Sequence, residues 1–190
     1  MQTKTTEGII LKTGFLKNSD LLLEVFTLDY GLMRLAYKGG NSYKRKRGGT
    51  TLTLTRAEIV FAEGKTGLSR CIEISPVNFN LDLRNSYRVI QAAGLLAHLI
   101  RRTQMENKPA PSLYALFLAY LKRLPQSQNL EALVASFRLK LLRHEGLFNP
   151  NSPPALITLA ASQKFSEIEG FTMTKEISDG VQFLFSRELS

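Results

Sequence analysis

The sequence predicts an α+β protein: a small β-barrel over residues 1–76, then an all-helical half over residues 77–190. Three observations predict it. As far as about Ile74 the chain reads as β, with apolar and polar residues alternating in the run that ends at Tyr37 and Lys38 and over residues 51–56, the pattern of strands with one buried face. Clusters of Gly, Asn, Ser and Asp cut that stretch into five short runs. Beyond Pro76 the apolar period changes to 3.6, as in helices that bury one stripe.

The elements follow in order. Residues 8–12 form a first strand, and a loop with Lys17, Asn18 and Ser19 leads to a second at 21–27. Asp29, Tyr30 and Gly31 make a tight hairpin turn, with Gly31 free to take positive φ. Residues 32–38 are the third strand. A loop with Gly39, Gly40, Gly48 and Gly49 leads to a fourth strand over 52–61, where Thr51, Thr53 and Thr55 alternate with Leu52, Leu54 and Arg56. A turn at 63–67 precedes the fifth strand, 68–74. Five short strands with one long loop suggest a closed barrel, and the OB-fold is the nucleic-acid-binding member of that class. Pro76 marks the boundary. Asn80, Ser112 and Asn129 are expected to cap three helices, the third ending at Gly146. Two or three short helices close the chain, the last over 175–189.

Composition narrows the partners. The 25 Lys and Arg outweigh 16 Asp and Glu, which favours a polyanion, nucleic acid first and an acidic membrane surface second. Residues 1–75 carry net +5 and residues 76–145 net +6, while residues 146–190 carry −2. A single cysteine, Cys71, permits no intrachain disulfide and fits a reducing cytosol. One Cys and two His exclude a Cys-rich zinc site. The polar start, residues 1–7, shows no signal peptide, and no apolar stretch approaches the about 18 residues of a membrane span.

The sharpest feature is the run Lys44, Arg45, Lys46, Arg47, bracketed by glycines and followed upstream by Tyr43, Lys38 and Arg34. Cations for phosphates and aromatics for bases are the ingredients of a single-stranded nucleic-acid groove. Four neutralised phosphates would give a log–log salt slope of about −3. Arg34 and Lys38, at alternate positions, extend the track on one strand face. Tyr37 is a weaker stacking candidate, equally suited to the barrel wall. The bland alternative for the run is a solvated surface. Gly64-Lys65-Thr66 imitates the end of a P-loop, but Ile59 stands where its first glycine belongs, so a hairpin turn is expected. His98 and His144 have no nucleophile motif around them. Glu24 and Asp20 show no metal spacing, and Asp20 is expected to fix its loop. In the third helix Arg138, Lys140 and Arg143 interleave with Phe137 and leucines. That is either a water-facing stripe or a groove for an acidic, apolar-tipped peptide.

Taken together, Glu7-Gly8-Ile9-Ile10-Leu11-Lys12-Thr13, Ser19-Asp20, Val25-Phe26-Thr27, Tyr30-Gly31 and Ala36-Tyr37-Lys38-Gly39 resemble the RecO family of recombination mediators. A weaker likeness continues through residues 137–142 and Gly146. The resemblance implies an N-terminal OB-fold, a helical C-terminal domain, binding of single- and double-stranded DNA, strand annealing without ATP or any cofactor, and a cytoplasmic, nucleoid-associated role in recombinational repair and recombinase loading. It implies two protein partners, RecR and the acidic C-terminal tail of single-strand-binding protein. It would place the loop from Lys38 to Arg47 on the DNA surface, and Phe137, Arg138, Lys140 and Arg143 are the choice for the tail. The sequence departs from the family after Gly146. Many members carry a four-cysteine zinc element there, whereas residues 149–190 hold no cysteine, so zinc is not expected. A structural RNA-binding OB-fold protein is the alternative; no constellation for an enzyme is visible.

Overall fold

The computed structural model describes residues 3–17, 19–40, 51–64 and 68–188. Strands β1 (Thr3–Phe15), β2 (Leu21–Thr27), β3 (Gly31–Tyr37), β4 (Arg56–Ala62) and β5 (Leu68–Asn78) close into a barrel in the order β1-β2-β3-β5-β4. All neighbours are antiparallel except β3 and β5, which run parallel. This is the OB architecture. Helices α1 (Tyr87–Thr103), α2 (Pro111–Arg123), α3 (Leu130–His144), α4 (Pro154–Ala161), α5 (Phe165–Glu169) and α6 (Lys175–Glu188) follow.

The chain divides into two compact units. One comprises residues 1–81 and 100–115, the other residues 82–99 and 116–190. In the first, Ile10, Leu23, Val25, Met33, Leu35, Ile59 and Phe61 fill the barrel interior. A second apolar row faces outward. Ile9 pairs with Phe26 and Phe26 with Leu32, all three at most 5% exposed. Residues 100–115 cover that row. Tyr114 meets Phe26 with ring centroids 5.8 Å apart, and Asn107 N–H donates to the Leu32 carbonyl at 2.8 Å.

Gly31 makes this cover possible. It takes φ +68 after the turn, and a Cβ there would lie 1.9 Å from the Lys108 carbonyl oxygen. Thr27 Oγ1 accepts from Tyr30 N–H and donates to the Gly31 carbonyl, closing the same turn.

Four boundaries differ from the sequence expectation. Residues 51–55 are not strand. Leu54 takes φ +68 and its N–H donates to Ile10 O, while Ile10 N–H donates to Thr55 O. This grip on the β1 irregularity buries both Leu54 and Thr55. β5 continues past Pro76, which sits opposite Ala57 next to a bulge, where a missing N–H is tolerated. Asn80 does not cap α1. It takes φ +49 and donates its amide to Leu54 O, and a 3₁₀ turn at Leu81–Arg84 intervenes. Pro111, not Ser112, opens α2, with Tyr114 N–H bonded to Ala110 O.

Helix α3 has both ends as expected. Asn129 Oδ1 accepts from Ala132 N–H. Gly146, at φ +73, donates to Arg143 O while Leu147 N–H donates to Leu142 O, a Schellman stop.

Gly31→Ala should lower stability by about 2 kcal/mol or more, because left-handed strain of about 1–2 kcal/mol adds to a backbone clash. Gly39→Ala meets nothing within 4 Å at φ +63 and should cost only the strain. Urea unfolding of the two variants checks the difference.

Candidate nucleic-acid interface

The outer face of β2, β3 and β5 carries the candidate surface, and its register sets what is free. One row holds Lys12, Glu24, Arg34 and Leu68; the next holds Gly14, Leu22, Ala36 and Arg70. Lys38 and Ile72 lie one step further. Along these rows the face grades from covered to open. Glu24 takes Arg101 at 2.5 and 3.2 Å, and Arg34 approaches Glu106 at 3.7 Å. Ala36 is half-buried, and Lys38 and Arg70 are exposed. The covered end thus has its cations matched by carboxylates, and the other end is positive.

At the covered end, Glu7 accepts from Arg56 at 2.6 Å and from the Tyr114 hydroxyl at 2.8 Å. Burial, then this bond, holds the Tyr114 phenol well above its ordinary range. The Glu7 carboxylate in turn raises the Arg56 guanidinium.

At the open end the chain between β3 and β4 is pinned at both roots. Asp20 Oδ1 accepts from Gly39 N–H at 2.7 Å, so Asp20 does fix its loop. Gly40 N–H donates to Tyr37 O, and a Cβ on Gly40 would fall 2.6 Å from the Tyr37 ring. On the far side Thr13 Oγ1 donates to Thr51 O at 2.8 Å. Tyr43, Lys44, Arg45, Lys46 and Arg47 lie between these roots and outside the described residues. Tyr37 packs inside the barrel.

The structure brings Arg34 and Lys38 onto one face and adds Lys12 and Arg70, which sequence reasoning missed; Lys17 is exposed in the turn after β1. In the structure Arg70 sits in an alternation of exposed and buried residues, Leu68-Ser69-Arg70-Cys71-Ile72. Only the parallel pairing of β5 with β3, made across 30 intervening residues (38–67), sets it beside Ala36.

In the second unit α3 is the central helix. Phe137 is fully buried between Phe117 and Tyr120, with centroids at 6.2 and 5.3 Å. Arg138 is half-buried, donates to Gln182 Oε1 at 3.2 Å and lies over Phe185. Its Nε is buried without an acceptor, and burial lowers its proton affinity. Lys140 donates to Ser162 O at 2.6 Å and stands over the Tyr120 ring; burial, then Arg143, lowers it too. Arg143 is exposed. A groove of 680 Å³ runs along α1, α3 and α6, with Arg88 and Arg138 on its walls and Leu95, Val134 and Val181 among its apolar residues. Phe137 is not in it. Arg123 makes a two-pronged contact with Glu169, which holds the Glu169 carboxyl below its usual range.

His98 and His144 are both exposed. Among the described residues no cluster of three His, Cys, Asp or Glu could hold a metal ion, and no helix is long and apolar enough to cross a membrane.

A five-stranded barrel of OB topology with one basic outer end, continued in sequence by helices, defines the class: an OB-fold protein with a helical second half. The chain belongs to the RecO family. The family's sequence model described as "Recombination protein O N terminal" matches residues 1–80, and "Recombination protein O C terminal" matches residues 84–148. Relatives named DNA repair protein RecO include those of Chlamydia muridarum, 27% identical over 73% of this chain and 59% of its own; Synechococcus elongatus, 30% over 70% and 49%; and Geobacter metallireducens, 33% over 68% and 53%. The chain thus covers less than two thirds of each of these relatives.

Tyr120 gives a pH test of the helical core. Its hydroxyl bonds Ser136 at 2.9 Å while Ser136 donates to Leu159 O, and burial pushes its phenol from 10.0 up to about 12. The fold holds the neutral form. Its contribution, about 2–3 kcal/mol, is complete below pH 10 and is lost as pH rises towards 12. Urea midpoints followed by circular dichroism at pH 9 and pH 11 should fall steeply for the wild type and less for Tyr120→Phe. The residual slope collects the other shifted groups, Tyr114 and Lys140 among them.

Proposed function

We propose that this protein is a DNA-binding recombination mediator. It binds single- and double-stranded DNA, anneals complementary single strands and assists recombinase loading in recombinational repair, in the cytoplasm at the nucleoid, without covalent chemistry. The observation that carries this reading is the basic end of the OB barrel. There Lys38 and Arg70 lie exposed, Arg34 continues the same face towards Glu106, and both roots of the segment bearing Tyr43, Lys44, Arg45, Lys46 and Arg47 are pinned. Membership of the RecO family supports it, as do relatives whose names state DNA repair.

The protein partners are RecR and the acidic C-terminal tail of single-strand-binding protein. The groove beside α3 supports the second. Arg138 and Arg88 offer charge beside Leu95, Val134 and Val181, in a lining that also holds Glu131 and Asp179, whereas Lys140 and Arg143 lie on another side of the helix, towards Ser162 and Ala160. Phe137 supports the helix from inside the core.

Fluorescence anisotropy of a labelled single strand across a salt series tests the DNA reading. Changing Lys44, Arg45, Lys46 and Arg47 together to Ala should weaken binding and reduce the log–log slope by about 2–3. An unchanged slope would move the phosphate contacts elsewhere, and a preference for RNA of the same sequence would favour an RNA-binding protein instead. For the tail, Arg138→Glu should weaken an acidic, apolar-tipped peptide about tenfold or more, read by titration calorimetry. Unaltered peptide affinity would remove the groove from consideration.

A further inference from the structure

Phe15 is 78% exposed, more than any other large hydrophobic residue among those described. Single exposed aromatics are ordinary on protein surfaces. Phe15 differs in where it stands. It ends β1, and the register runs from Phe15 to Leu21, then Tyr37, then Cys71. The last three are 3%, 7% and 3% exposed. Phe15 is therefore the one member of an inward-facing row left in water, at the rim of the barrel.

The backbone that follows it is closed by a turn. Leu16 N–H donates to Asp20 O at 2.8 Å, and Asp20 N–H donates to Lys17 O at 3.2 Å. Ser19 adopts φ 64 to close this turn, a conformation that costs a residue other than glycine about 1 kcal/mol or more. Two residues before Phe15, Thr13 holds Thr51; five residues after it, Asp20 holds Gly39. Phe15 thus lies between the two anchors of the chain segment that carries four consecutive cations in sequence. Lys17 is exposed two residues away, and Lys38 follows Tyr37 two strands across, about 10 Å at ordinary strand spacing.

We propose that Phe15 is a base-stacking platform for single-stranded nucleic acid. This rests on the nucleic-acid reading above and names a contact that reading lacked. A flat ring held at a positively charged rim offers any base a π-face while cations meet the phosphates. Duplex DNA keeps its bases stacked on one another and has no free face to offer. The contact therefore discriminates single strands from duplex, and it does so without base-specific hydrogen bonds.

The chain contains no tryptophan, so Phe15→Trp creates a single reporter at this position. In the full chain, Phe15→Trp should keep single-strand affinity, and its fluorescence should be quenched by a single-stranded oligonucleotide but not by a closed hairpin duplex. Phe15→Ala should leave the unfolding temperature unchanged, weaken single-strand binding about five- to a hundred-fold, and leave the salt slope and duplex affinity as they were. The proposal is overturned if Phe15→Ala binds single strands as the wild type does. It is equally overturned if the tryptophan stays silent while anisotropy reports binding. In both cases the mediator reading survives on the loop's salt slope. Wild-type protein that binds no nucleic acid would remove both together.

Discussion

The barrel is apolar on two sides over part of its wall, and that constraint organises the rest of the first unit. Ile10, Val25 and Met33 face the interior, while their neighbours Ile9, Phe26 and Leu32 face out. Each outward side chain left in water would forgo about 1.5–3 kcal/mol. Residues 100–115 supply the cover, and Gly31, with no side chain, lets the Lys108 carbonyl come close enough to complete it. Because the cover sits at the Phe26–Leu32 end, the opposite end of the same face stays open.

Charge follows the same division. At the covered end Glu7, Glu24 and Glu106 each meet a cation or a hydroxyl supplied across the contact. Glu7 and Glu24 are half-buried, and either left unpaired would carry a desolvation penalty; Glu106 is exposed. At the open end Lys17, Lys38 and Arg70 are exposed. Asp20 spends its carboxylate on a backbone N–H and so shapes the rim. The positive character of that end arises from where carboxylates are consumed as much as from where cations occur.

In the helical unit the basic stripe of α3 is drawn inward. Phe137 occupies the core between two rings, Lys140 caps a carbonyl over Tyr120, and Arg138 leans on Phe185. Long cationic side chains cover apolar surface with their stems in this way. Arg138 retains an unsatisfied Nε and lines the groove, so this one side chain acts as packing and as a charged groove wall at once.

The sequence by itself determined the class and order of the elements. Period-two runs, the passage from strands to helical periodicity, the Gly31 turn, the Asn129 cap and the Gly146 stop all depend on neighbours within a few residues, so local chemistry was enough to read them. The family likeness rested on the same short segments. Tertiary structure decided the rest. Asn80 was drawn to Leu54 O instead of capping α1, because a carbonyl 26 residues away offered a better bond. Residues 51–55 left the strand to grip Ile10. Arg70 joined the basic face only through a parallel pairing across 30 intervening residues (38–67). Phe137 went inside, since helical periodicity names an apolar face without saying what covers it. Phe15 stayed outside for the converse reason: alternation gives its side of the strand, and only the end of the barrel wall decides whether anything lies opposite.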